Sequence, residues 1–254
     1  MFDSPLSVAL LFLSAFMAGA VNAIAGGGTL LTFPSLLSFL SPVAANATST
    51  VALLPGSLAS GLGYRKELAQ CRQTLLMLLP PSLFGGIAGS LLLIRMPERV
   101  FAQLVPWLLV LASVLLLLQR PLMRYVGAHP HKEPGAGTVM VMVFFQFLVG
   151  IYGGYFGAGI GILMLSSLAF AGLPDIHQMN AVKSILAATM NGVSAVMFGS
   201  AGIVRWDFAA LMAVAAILGG YIGARVGRKL PANLIRAIVV AIGFAVAAYS
   251  WLRD

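Results

Sequence analysis

The stretch AIAGGGTLLTFP, residues 23–34, places three consecutive glycines in a segment that is otherwise apolar enough to cross a membrane. A glycine inside a helix costs about 1 kcal/mol relative to alanine, so a simple membrane span has no reason to carry three together. Irregular backbone is tolerated at membrane depth where it is buried in protein or lines a wet cavity. The stretch therefore predicts a helix that ends within the membrane and a short second helix that begins there and runs toward Pro34.

Composition identifies the class of the protein. Of the 254 residues, 60% are hydrophobic and 9% are charged, whereas soluble domains carry about 25% charged residues. No charged residue occurs between Asp3 and Arg65, and charge-free runs of membrane-spanning length follow. About 20 apolar residues in a helix cross a hydrocarbon core of about 30 Å. The sequence thus predicts an all-α polytopic membrane protein; it lacks the basic leader of a cleavable signal peptide.

The chain contains two copies of one unit. GGIAGSLLLIRMP (85–97) aligns without gaps with GGYIGARVGRKLP (219–231), matching three glycines and a proline. Two further pairs align in the same way: NATSTV (46–51) with NAVKSI (180–185), and GAVNAIAGGG (19–28) with GIYGGYFGAG (150–159). We interpret 1–119 as a first membrane repeat, 120–137 as a central loop and 138–254 as a second membrane repeat.

Each repeat is predicted to contain five hydrophobic segments. They are 5–24, 29–41, 45–63, 73–94 and 100–118 in the first repeat, and 138–156, 160–172, 178–200, 208–227 and 233–252 in the second. The second segment of each repeat is short: 29–41 would extend only about 19 Å as a helix, so it is short or re-entrant. Because the number of segments per repeat is odd, the two repeats are expected to be inverted relative to each other.

The distribution of basic residues gives an orientation. With the N-terminus outside, three predicted loops are cytoplasmic and hold Arg65, Lys66, Arg72, Arg120, Arg124, Lys132, Arg225, Arg228 and Lys229. Four basic residues fall outside: Arg95, Arg99, Arg205 and Arg253. The positive-inside rule thus accounts for most of the net charge of +8, and a role in attracting anions can coexist with it. Inverted repeats with discontinuous helices are typical of transporters.

The two glycine-rich stretches predict a binding site for an anion. A helix that begins within the membrane presents unpaired N–H groups and a positive dipole end of about half a charge. Two such starts, after Gly26–Gly28 and after the glycines at 157, 159 and 161, would point toward one central site. The alternative is that small residues only permit tight helix packing, which explains the glycines of 85–89 and 219–223. A nucleotide-binding loop is excluded because no Lys-Ser/Thr pair follows.

The third segment of each repeat adds a polar face. Asn180, Ser184 and Asn191 lie within about 40° of one another on a helix, with Lys183 beside them. The matching face of the first repeat carries Asn46, Thr50 and Ser57, with Thr48 and Ser49 adjacent. Lys183 has no carboxylate within a helical turn. It is either a functional charge in the membrane or a side chain that extends to the interface near Asp175.

These observations define the candidate residues. We expect substrate-binding roles for Asn22, Gly26, Gly27, Gly28, Thr29, Asn46, Thr48, Thr50, Gly157, Gly159, Gly161, Asn180, Lys183, Ser184 and Asn191. No catalytic group, metal-ligand cluster or cofactor motif is predicted. The single Cys71 excludes an intrachain disulfide. We therefore expect no cofactor and no enzymatic activity.

Two stretches resemble a known family. NAIAGGGTLLTFPSLL (22–37) and NATSTVALLPGSLASGLGYRK (46–66), with a weaker second copy, are similar to the TauE/SafE family of sulfite and organosulfonate transporters. The resemblance covers nearly the whole chain. It implies a multi-pass permease of the bacterial inner membrane for a small sulfur-containing anion such as sulfite, sulfoacetate or another sulfonate. One departure is that 157–159 reads Gly-Ala-Gly, without a third glycine or a counterpart of Pro34, which is consistent with an asymmetric site that uses Lys183.

The sequence therefore predicts a secondary transporter that works by alternating access. A passive anion channel is the rival within transport, and a membrane enzyme or assembly factor is the rival from another class. The expected partners are a small anionic substrate and the lipid bilayer, without nucleic acid; a homodimer is left open.

Overall fold

The computed structural model describes residues 5–24, 26–127, 135–170, 173, 175–226 and 232–253, and its regular secondary structure within these ranges is helical. The helices are α1 (Pro5–Ile24), α2 (Thr29–Leu37), α3 (Pro42–Gly63), α4 (Arg65–Gln70), α5 (Arg72–Arg95), α6 (Glu98–Gly127), α7 (Ala136–Tyr155), α8 (Ile160–Phe170), α9 (Ile176–Ser200), α10 (Trp206–Val226) and α11 (Ala232–Arg253).

Six helices of the described part are long and apolar enough to cross a membrane: α1, α5, α6, α7, α9 and α10. The prediction of an all-α polytopic membrane protein is thereby confirmed. Each of the ten predicted hydrophobic segments coincides with a helix, and most bounds agree within a few residues.

Two details differ from the sequence prediction. The short helix α4 was not predicted; Glu67 lies in its first turn, where a carboxylate interacts favourably with the helix dipole. Helix α6 continues to Gly127, so residues 120–127 of the predicted central loop are helical, and Leu122 and Met123 are residues that favour a helix. The remainder of that loop, 128–134, lies outside the described residues.

The two short helices follow breaks of the same form. Gly26 and Gly157 have φ angles of +82° and +78°, which favour glycine. Their N–H groups donate to the carbonyl oxygens five residues earlier, those of Val21 (3.0 Å) and Tyr152 (3.1 Å). Helix α2 then has 9 residues and α8 has 11, so neither is long enough to cross a membrane alone.

Helices α3 and α9 pack against each other, and together they carry most of the buried polar side chains. Helix α3 also packs on α10, and α9 on α5. Around them α1 packs on α10, α5 packs on α7, and α6 packs on α11. Glycines lie where the backbones approach most closely: a Cβ atom on Gly89 would meet the Ile151 carbonyl oxygen, and one on Gly219 the Phe16 carbonyl oxygen. This arrangement brings both helix breaks against the central pair α3 and α9.

Candidate functional site

A cavity of about 30 Å³ lies between the two helix breaks and the central helices α3 and α9. One water molecule needs about 10–15 Å³ of such space, so the cavity can hold about two waters or a small polyatomic group. Polar side chains from several helices reach it and most of its lining residues are buried, which makes it the candidate site.

The structure brings many of the predicted site residues together around this cavity. Those that line it are Asn22, Gly26, Thr29, Gly157, Gly161, Lys183, Ser184 and Asn191. The cavity therefore contacts the start of α2, the start of α8 and the polar face of α9 at once. Whether these residues bind a substrate stays a prediction.

Lys183 is held in the interior of the protein. Its side chain is 2% exposed. The ammonium group donates to the carbonyl oxygen of Asn22 (2.9 Å) and to Oδ1 of Asn180 (2.7 Å). An ammonium has three donors, and the third has no acceptor among the described residues. No carboxylate of the described residues pairs with Lys183, and its side chain does not extend to the end of α9.

The starts of α2 and α8 differ in how their N–H groups are used. The Gly28 N–H donates to Oδ1 of Asn22 (2.8 Å), so one N–H group at the start of α2 is already satisfied by a side chain of α1. The N–H groups of Ile160 and Gly161 have no acceptor within the described ranges, and both residues line the cavity. The α8 end therefore offers unpaired donors and the positive end of a helix dipole.

Two polar side chains at the cavity are without a partner in the described part of the chain. Thr29 is 8% exposed and Asn191 is 9% exposed, and neither side chain forms a hydrogen bond with another described residue. Both residues line the cavity, so their polar groups are available to bond to a polar occupant.

Helix α3 contributes two serines that the candidate list omitted. The hydroxyl groups of Ser60 and Ser184 are 3.0 Å apart across the cavity wall, and Ser57 bonds to the Leu53 carbonyl oxygen of its own helix. Ser57 belonged to the predicted polar face, and Ser60 follows it at a spacing of three residues, which puts both on one side of a helix. That spacing is the signal that would have found Ser60.

The other predicted residues lie away from the cavity: Gly27, Gly28, Asn46, Thr48, Thr50, Gly159 and Asn180. The side-chain amide of Asn46 donates to the Tyr155 carbonyl oxygen (2.9 Å), and the Thr50 hydroxyl to the Asn46 carbonyl oxygen (2.9 Å). The Thr48 hydroxyl accepts from the Arg205 N–H (3.0 Å). Asn46 thus connects α3 to the end of α7, Thr48 connects α3 to the residue before α10, and Thr50 bonds within α3; none of the three lines the cavity.

The remaining glycines serve the breaks themselves. A Cβ on Gly27 would point at Leu116, and one on Gly159 at Ala112, both on α6. Asn180 reaches the site only through Lys183. No group of three His, Cys, Asp or Glu residues in the described ranges could hold a metal ion.

Comparison with known proteins agrees with this architecture. Three bacterial proteins, each named Probable membrane transporter protein, match over nearly their whole length. That of Haemophilus influenzae is 29% identical, covering 95% of this chain and 93% of the relative. ORF9 of a Sinorhizobium species is 30% identical (94% and 90%), and YfcA of Escherichia coli K12 is 29% identical (96% and 90%). The family model Sulfite exporter TauE/SafE matches residues 11–250. The chain, a multi-pass membrane transporter, therefore belongs to the TauE/SafE family.

Proposed function

We propose that this transporter is a secondary permease that moves a small sulfur-containing anion, such as sulfite, sulfoacetate or another sulfonate, by alternating access. The anion would occupy the cavity between the breaks. The observation that carries the proposal is the buried Lys183, which has no carboxylate partner among the described residues and lines a cavity with the N-terminal ends of two helices. An anion there would balance a charge that is costly to bury alone.

The unpaired groups support an oxyanion in particular. The Lys183 ammonium, the Gly161 N–H and the Thr29 hydroxyl can each donate a hydrogen bond to an oxygen atom. The Asn191 amide can donate as well. A sulfonate or sulfite group presents three oxygens to such a set of donors. Neutral Asn180 accepts from Lys183, so the site keeps its positive charge for the substrate.

We also propose that the two halves are inverted repeats. The hydrogen bonds at the two breaks match in pairs under the sequence alignment of 19–28 with 150–159. The contacts between halves match too: α1 on α10 corresponds to α7 on α5, and α3 on α10 corresponds to α9 on α5. This pairing supports a site at the interface of two related halves, as in other repeat transporters.

A carrier is favoured over a passive channel because the groups that line the cavity are buried. Lys183, Ser60 and Ser184 are each 2% exposed. A channel would need a continuous wet path through this layer.

The test is the melting temperature of the purified protein with a panel of anions at equal ionic strength: sulfite, thiosulfate, sulfate, sulfoacetate, taurine, phosphate and chloride. An anion at 100 times its Kd adds about 2.7 kcal/mol of stability, which a melt detects. Stabilisation confined to sulfur oxyanions or sulfonates supports the proposal, and an equal response to every anion contradicts it.

Two variants connect any response to the cavity. Lys183→Met removes the charge, and Asn191→Leu removes an amide that has no partner among the described residues. Each variant should abolish the rise in melting temperature, or raise the apparent Kd of the stabilising anion at least tenfold. Thr189→Val is the control: its hydroxyl bonds to the Ile185 carbonyl oxygen of the same helix, and it does not line the cavity. Its response should equal that of the wild type.

A further inference from the structure

The two carbonyl oxygens at the ends of the broken helices are held by side chains from the opposite half of the chain. In the first half, Lys183 of α9 donates to the Asn22 carbonyl oxygen near the end of α1 (2.9 Å). In the second half, Asn46 of α3 donates to the Tyr155 carbonyl oxygen at the end of α7 (2.9 Å). From this exchange we infer that Asn46 and Lys183 are paired positioning residues, each of which fixes the helix break of the other half against the cavity.

A helix that ends within the membrane leaves carbonyl oxygens without partners, and water is not there to satisfy them. Each break satisfies one carbonyl with its own glycine: Val21 receives the Gly26 N–H, and Tyr152 receives the Gly157 N–H. Other carbonyl oxygens at the two ends need a donor from elsewhere. Among the described residues, Lys183 supplies one to the Asn22 carbonyl and Asn46 supplies one to the Tyr155 carbonyl.

The Asn46 bond is selective for an amide. Its Nδ2 faces the Tyr155 carbonyl oxygen, whereas a rotated amide would set two acceptors against each other. The Asn46 side chain is 1% exposed, and its Oδ1 is buried without a partner in the described residues. Because the amide oxygen is unsatisfied, the hydrogen bond that the nitrogen donates is the polar contact that offsets the burial of Asn46.

The consequence reaches the cavity through the short helices. Tyr155 is followed by the break that leads to Ile160 and Gly161, whose unpaired N–H groups lie at the cavity. Within that break, the Tyr152 hydroxyl donates to the Ala158 carbonyl oxygen (2.8 Å), which connects the end of α7 to the residues just before α8. Asn46 thus sets the position of the α8 start without touching the cavity. This part of the inference rests on the proposed function.

Hydrogen exchange by mass spectrometry on the purified protein without added anion tests the pairing. Asn46→Leu should speed exchange of the amides in 155–162 about fivefold, the effect of one lost hydrogen bond of typical strength, and leave 22–30 unchanged. Lys183→Met should do the reverse. Asn46→Ala, which removes the amide altogether, provides a second test of the α7 end, and Thr189→Val is the control. Equal acceleration in both breaks, or none in the expected break, would overturn the inference.

A substitution that restores the hydrogen bond distinguishes a positioning role from a general effect on stability. Lys183→Gln keeps an amide donor without the charge, so exchange in 22–30 should return toward the wild-type rate while the anion response stays lost. Full loss of protection in Lys183→Gln would mean that the charge, and not the hydrogen bond, holds α1.

For Asn46→Leu, the apparent Kd of sulfite should rise at least threefold although no cavity group is changed. An unchanged Kd would overturn its role toward the cavity. A wild type that responds to none of the sulfur oxyanions and sulfonates would remove the proposed function and leave the exchange result intact.

Discussion

Gly26 illustrates how one residue sets the geometry of the site. Its φ of +82° disfavours any residue with a side chain, and an added Cβ would lie 2.7 Å from the Gly161 Cα of the other break. The backbones of the two helix starts are therefore so close at this point that residue 26 has no room for a side chain. We predict that Gly26→Ala lowers the free energy of unfolding by about 2–4 kcal/mol, from backbone strain and overpacking together, and abolishes transport. Thermal melting and anion flux in vesicles measure both effects.

Gly202 provides a matched control for that prediction. It also has a positive φ, +71°, but an added Cβ would have no atom within 4 Å. Gly202→Ala should therefore cost only the backbone strain of about 1–2 kcal/mol and leave transport intact. If the two variants behave alike, the close approach of Gly26 to Gly161 has no functional importance.

The sequence predicted the residue types of the site better than their positions. A spacing of 100° per residue groups Asn46, Thr50 and Ser57 on one face of α3, yet of these only Ser57 lines the cavity. One face of a long helix contacts several neighbours in turn. The N-terminal part of α3 meets the end of α7 through Asn46, whereas Ser57 and Ser60, nearer its C-terminal end, line the cavity. Which neighbour a residue meets depends on long-range packing, and periodicity within one helix does not contain that information.

Among the elements, α5 and α7 depend on close backbone contact. A Cβ on Gly89 would collide with the Ile151 carbonyl oxygen, whereas one on Gly86 would lie 3.4 Å from the nearest atom, the Met190 Cα. We predict that Gly89→Ala lowers the free energy of unfolding by about 1–3 kcal/mol or more through overpacking, and therefore lowers the melting temperature markedly. Gly86→Ala on the same helix should be nearly neutral. Equal melting temperatures for the two variants would contradict the assigned role of Gly89.

The junction between α4 and α5 allows a prediction about reactivity. Cys71 is 3% exposed, and burial, followed by the Asp175 carboxylate, raises the pKa of its thiol. Because the thiolate is the reactive form, labelling by a maleimide should be slow at pH 7 and should accelerate as the pH rises toward the raised pKa. Asp175→Ser, which keeps an N-cap oxygen for α9 and removes the charge, should increase the rate. Rapid labelling of the wild type at pH 7 would contradict the burial of this junction.

Helix bounds were the most predictable feature of the elements because charge-free apolar runs are set by membrane thickness. The predicted 5–24 coincides with α1, and the short second segments correspond to α2 and α8. Helix α4 and the extension of α6 were missed. Both lie at polar ends, where hydropathy carries no signal and local helix preference decides.

For the whole molecule, inversion of the two halves predicts that corresponding loops lie on opposite sides of the membrane. Lys66 follows α3 and Gly202 follows α9, and both are exposed. In a Cys71→Ser background, an impermeant maleimide should label Gly202→Cys in intact cells and Lys66→Cys only after permeabilisation. The reverse pattern would keep the inversion and reverse the orientation. Labelling of both from one side would contradict inverted repeats.

The polar face of α3 has a consequence for biosynthesis. Helix α3 has 22 residues, yet it is not among the six described helices that are apolar enough to span. Three of its hydrogen-bond partners, the Tyr155 carbonyl, the Ser184 hydroxyl and the Arg205 N–H, come from the second half, whereas Ser49 bonds to Thr32 of α2 (2.6 Å). While the ribosome is still translating that half, the polar groups of α3 that bond to it lack these partners. We therefore expect α3 to reach its final hydrogen-bonded position only after the residues up to Arg205 have been synthesised.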